Sequence, residues 1–205
     1  MKKLFFLSLI IFIVVSCSDN TNKTDAPGIE NNSNSLAGDS GDFFPVSSFL
    51  KGQMNLLDSM QVTFLQINTY GNKSDSVWLS REKVRPLLQP FIADEISNEN
   101  LVSFFKESKF NDQSTDAITF TYVPKTVLPD SISLRRWDVY VNPETGSVKR
   151  IYILKQLNTD NQVYTQQLTW QTDKWVKIIN ILEKPDGSSE IQKEMQILLD
   201  LTGIK

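Results

Sequence analysis

The groups able to do chemistry in this sequence are carboxylates, lysines and a single thiol, because histidine is absent from all 205 residues. That absence excludes a Ser-His-Asp triad, a Cys-His pair and any imidazole metal site. It also removes the side chain most often used for proton transfer near neutral pH. The carboxylates that could replace it are Asp94 with its neighbour Glu95, Glu144 in a turn, and Asp138, which shares a strand face with Tyr140. Glycoside hydrolysis needs two carboxylates at a defined separation, which spacing along a chain does not set. Acidic residues in polar loops stay solvated, and a strongly shifted pKa requires burial. No Gly-rich phosphate loop and no metal-ligand spacing accompanies these residues. The expectation is a protein without catalytic residues, cofactor or metal.

The thiol is Cys17, at the point where an apolar run gives way to a polar one. Lys2 and Lys3 precede the run Leu4 to Val15, broken only by Ser8. A short basic stretch before a hydrophobic core is the layout of a secretory signal, and the run is too short to cross a bilayer, which takes about 20 residues. The segment "VVSC" (Val14, Val15, Ser16, Cys17) resembles the lipobox of bacterial lipoprotein precursors, with valine at Val14 where leucine is commonest. The resemblance implies diacylglyceryl transfer to the Cys17 thiol and cleavage between Ser16 and Cys17. It makes residues 1–16 a signal peptide and Cys17 a lipid attachment point. Two or more acyl chains hold a protein durably, at about 0.8 kcal/mol per buried CH₂. The implied location is a membrane surface, expected to be the outer membrane of a Gram-negative bacterium, facing either the periplasm or the exterior.

Between Cys17 and Asp42 the sequence is dominated by Asn, Ser, Asp and Gly, with Ile29 and Leu36 as its large apolar residues. Such composition cannot offset ordering entropy, so 17–42 is expected to be a disordered tether. As a coil it would span roughly 25–30 Å. The remainder, residues 43–205, suits one domain. A net charge of −3 gives no electrostatic reason to expect nucleic acid as a partner.

Residues 46–60 place Val46, Phe49, Leu50, Leu57 and Met60 on one helical face. A hairpin comes next, from Gln61 to Leu79, turning at "GNKSD". Val84, Leu87, Leu88 and Phe91 predict a second helix, shortened by Pro86 and Pro90. Leu101, Val102 and Phe105 predict a third, starting near Asn98. Five strands of period two succeed it: "AITFTYV", "SLRRWDVYV", "SVKRIYILKQ", "QVYTQQLTWQ" and "KWVKIINILE". Ile191, Met195, Leu198 and Leu199 then predict a last helix. Short turns between consecutive strands require antiparallel pairing. The predicted class is α+β: an antiparallel meander of about five strands plus an N-terminal hairpin, with helices packed mainly on one face.

Four tryptophans, Trp78, Trp137, Trp170 and Trp175, fall mostly on these strands. Aromatic residues favour strands for packing alone. Their other reading, for Trp137, Trp170 and Trp175, is a platform for a ligand or partner on an open sheet face. The hairpin "VYVNPETGSVKRIYI" resembles the strand-turn-strand unit of the PepSY family, whose members are linked to peptidase inhibition. Asp58-Ser59-Met60, Asp75-Ser76-Val77 and Asp130-Ser131-Ile132 resemble the sites of a periplasmic O-glycosylation system. The function these residues favour is a non-catalytic, lipid-anchored interaction or assembly module of the cell envelope, with a protein or glycan partner. The alternatives are a carrier that encloses lipid or glycan and, behind it, a carboxylate-dependent hydrolase.

Overall fold

Period-two alternation dominates from Phe64 onward, and it builds a sheet larger than the one expected. The computed structural model describes residues 43–94, 96, 101–112, 114–159 and 162–199. Helix α1 spans Val46–Ser59 and leads into strands β1 (Phe64–Tyr70) and β2 (Lys73–Leu79). Helix α2 (Arg81–Leu88) and a 3₁₀ turn (Gln89–Phe91) succeed them. After a second 3₁₀ turn (Val102–Phe104) come β3 (Phe105–Asp112), β4 (Ala117–Pro124), β5 (Leu134–Val141) and β6 (Val148–Thr159). Strands β7 (Gln162–Gln171), β8 (Trp175–Glu183) and β9 (Ser189–Leu198) complete the series. All nine lie in one sheet, in the order β2-β1-β9-β8-β7-β6-β5-β4-β3. Every pairing is antiparallel.

This corrects the α+β assignment: the described chain is essentially one large antiparallel sheet carrying two short helices. Two strands account for the difference. The segment predicted as a last helix is β9, which pairs with β8 on one side and β1 on the other. Its apolar residues fit a helical stripe, yet a vacant slot between two strands offers hydrogen bonds along both edges, and context overrides a weak local preference. The start expected for the third helix, near Asn98, lies outside the described residues. From Leu101 onward the chain makes only a 3₁₀ turn before entering β3. Strand β3, "FKESKFND", is a charged edge strand, so alternation does not announce it. Its lysines suit an edge, where charge discourages pairing with another chain.

The core lies on one face. From the helical layer come Val46, Leu50, Met54 and Leu57 of α1, Val84 and Leu88 of α2, and Phe91. From the sheet come Phe64, Trp137, Val139, Ile151, Ile153, Leu168, Trp170, Val176 and Ile197. Trp170 meets Phe91 edge-on, ring centroids 5.4 Å apart at 89°. Phe43 and Phe44, just before α1, pack on this same side. The Phe44 amide donates to the Tyr122 hydroxyl at 2.8 Å, and the Phe43 ring lies 5.2 Å from that of Tyr122. Burial raises the Tyr122 pKa and Glu107 raises it further, so the phenol stays protonated.

The β5–β6 turn shows how local chemistry sets register. The Asn142 side chain accepts from the amides of Glu144 and Thr145, at 2.8 and 3.2 Å. Gly146 takes φ 68°, which a side chain would disfavour. Its amide returns to the Asn142 carbonyl at 2.9 Å.

Candidate functional site on the bare sheet face

Both helices pack on one side, so among the described residues the other face of the sheet carries no helix. Directly opposed residues in an antiparallel ladder point to the same face, and the register therefore reads as rows across the strands. One row runs Phe110, Thr119, Tyr140, Arg150 and Gln171 from β3 to β7. It continues through Trp175, Leu198, Leu65 and Trp78 to the β2 edge. The adjacent row runs Ser108, Thr121, Asp138, Tyr152, Thr169, Lys177, Gln196, Ile67 and Ser76 across the same nine strands. A row with four aromatic rings thus lies beside a row of hydroxyls, amides and charges. The rings at its two edges are the most open, with Phe110 66% and Trp78 54% exposed.

Where β5, β6 and β7 meet, the face dips into a shallow cavity of about 410 Å³. Asp138 lies at its floor, 2% exposed. One carboxylate oxygen accepts from Thr121 Oγ1 at 2.6 Å and the other from Arg136 Nε at 2.8 Å. This hydrogen bond raises the Arg136 pKa, so the guanidinium keeps its charge. Burial, with the Asp138 charge behind it, raises the pKa of Tyr152 and keeps its hydroxyl a donor. The Arg150 guanidinium lies 3.9 Å from the centroid of the Tyr140 ring, a cation–π contact. At the far end of the same patch Lys177 pairs with Glu194 at 2.6 Å and lies 5.8 Å from the Trp175 ring.

Among the described residues the candidate carboxylates do not converge. Asp138 is on the bare face, with both oxygens occupied. Asp94 is on the helical side, bonded to the buried Lys155 at 2.7 Å and to Ser133 Oγ at 3.0 Å. Glu144 sits exposed in the β5–β6 turn. Glu95 lies outside the described residues, as do Ser16 and Cys17. Among the described residues no three acidic or sulfur ligands come close enough together to hold a metal ion, and no helix is long and apolar enough to cross a membrane.

The three tryptophans expected to form a surface divide. Trp137 and Trp170 are 1% and 0% exposed and turn into the core. Strand parity explains this, since Trp137 alternates with Val139 and Trp170 with Leu168, all inward. Trp175 has the opposite parity and faces out. The residues that share the bare face with it, Tyr140, Arg150, Leu65, Leu198 and Trp78, are scattered over five strands, and only cross-strand register unites them. No family model matches the chain, and neither does a curated protein or a solved structure.

Proposed function

We propose that this is a lipid-anchored cell-envelope protein, attached through Cys17, that acts without catalysis by binding a saccharide chain on its bare sheet face. The observation that carries this reading is the pair of neighbouring rows, aromatic beside hydroxyl-bearing. Sugar rings have an apolar C–H face and a rim of hydroxyls, so they stack on aromatic side chains while their hydroxyls seek donors and acceptors. Tyr140 and Trp175 stand three strands apart, about 14 Å at the usual strand spacing, which suits a chain of a few sugar residues. Successive strands twist by roughly 20–25°, so a flexible chain fits such a row better than a rigid flat polymer does.

Two observations favour surface binding over the alternatives. The space between helices and sheet is filled by Leu50, Met54, Phe91, Ile153, Trp137 and Trp170, none more than 2% exposed. That disfavours a carrier with an enclosed cavity. Thr121 and Arg136 occupy both carboxylate oxygens of Asp138, which supports a role as a fixed acceptor.

Trp175→Ala should lower affinity for a bound saccharide about five- to thirtyfold, because a central stacking residue contributes on the order of 1–2 kcal/mol. Isothermal titration of the full-length chain, purified in detergent, with soluble envelope polysaccharides measures this. Unchanged affinity in the variant would remove the face from the account.

A further inference from the structure

We infer that the saccharide taken by this face is acidic, and that Arg150 is the residue that holds its anionic group. The inference rests on the reading of the bare face as a saccharide surface and adds the sign of the ligand's charge. It comes from matching the charges of the patch one by one. Arg136 is paired with Asp138 at 2.8 Å, and Lys177 is paired with Glu194 at 2.6 Å. Lys149, beside Arg150, gives its ammonium to the backbone carbonyls of Thr115 and Asp116, both at 3.0 Å. Neither Lys149 nor Arg150 has a carboxylate partner among the described residues, but the Lys149 ammonium is taken up by carbonyls, whereas the contact of the Arg150 guanidinium is with the Tyr140 ring. Of these four cations, Arg150 is the one whose N–H groups are left for a ligand, on a protein whose net charge is −3.

Its setting suits an anion. Contact with the Tyr140 ring fixes the guanidinium while leaving its charge uncompensated, since an aromatic face is attractive but carries no net charge. A held guanidinium is prepared to bind a carboxylate or sulfate with two parallel hydrogen bonds. Its neighbours across the strands are Tyr140 on one side and Gln171 on the other, with Trp175 one strand further. A saccharide chain lying across the two rings would therefore bring an acidic substituent alongside Arg150. The hydroxyls of Tyr152 and Thr169, in the adjacent row, would serve its remaining oxygens.

The test uses three soluble polyuronates, polygalacturonate, alginate and hyaluronate, each beside its carboxyl-reduced neutral form, titrated into the full-length chain in detergent. At least one carboxylated polymer should bind tenfold or more tighter than its reduced form, and added salt should shrink that difference. Arg150→Gln should abolish the preference, so that the carboxylated polymer binds no tighter than its reduced form. Arg150→Lys should restore part of it, keeping charge without the planar fork. Trp175→Ala should weaken both forms. Equal binding of the two forms, weakened by Trp175→Ala and unaffected by Arg150→Gln, would overturn the acidic inference and leave the saccharide surface standing. Binding of neither form, or binding indifferent to Trp175, would overturn both.

Discussion

Replacing Trp170 with alanine should lower the unfolding free energy by about 3–5 kcal/mol, a large fraction of a domain's usual stability. The indole is 0% exposed and sits opposite Ile151 and Val176 on its flanking strands, with the Phe91 ring edge-on against it. Its removal opens a cavity at the joint between sheet and helical layer, which neighbouring strands cannot close without losing register. Trp170→Phe should cost far less. The indole N–H is buried without a hydrogen-bond partner, and phenylalanine gives up volume but also that unsatisfied donor. Trp78→Ala, on the open face at the β2 edge, should change stability by no more than about 0.5 kcal/mol. Urea denaturation of the three variants checks the set. A Trp170→Ala loss as small as that of Trp78→Ala would mean that the sheet is inverted relative to the helices.

The second large effect concerns Lys155, which is 3% exposed on the core face of β6. Its ammonium is 2.7 Å from Asp94 Oδ2 and donates to the Pro90 carbonyl at 2.6 Å. The pair ties the segment after α2 to the middle of the sheet. Lys155→Ala should cost about 3 kcal/mol, near the lower end for breaking a buried pair because Asp94 keeps 20% of its side-chain surface in water. Removing both charges, as Lys155→Ala with Asp94→Ala, should cost less than the sum of the single losses. The expected coupling is about 1–3 kcal/mol. Additive losses would show that the two groups are not partnered.

Much of this architecture is legible in the sequence because period-two alternation is a local signal. Strands β4 to β8 occupy segments whose alternation is plain, and the inward set Trp137, Val139 and Val141 can be grouped from the sequence. Arg135 shares their parity along the chain and yet does not belong with them. A register shift between Leu134 and Arg136 breaks the parity, so Leu134 and Trp137 both turn inward. Arg135 instead bonds Gln156 at 3.0 Å and the carbonyls of Ile132 and Leu134. Strand β9 is hidden because Ile191, Met195 and Leu198 match a helical stripe and do not alternate as one strand face, and only the slot between β8 and β1 decides. The site is harder to see than the fold. Tyr140, Arg150, Trp175, Leu65 and Trp78 become one row through turn lengths and bulges that set register along most of the chain, and no local pattern contains that information. Likewise the pairing of Asp94 with Lys155, far along the chain, is not contained in any local pattern.

The four indole N–H resonances in a ¹H–¹⁵N spectrum test the central claim most directly, because two report on each face of the sheet. On titration of the labelled full-length protein with a saccharide that it binds, the Trp175 signal should shift, and that of Trp78 should follow with chains long enough to reach the β2 edge. The signals of Trp137 and Trp170 should stay in place. Shifts confined to Trp137 and Trp170, with Trp175 and Trp78 unmoved, would put the ligand between helices and sheet and contradict the bare face as the binding surface.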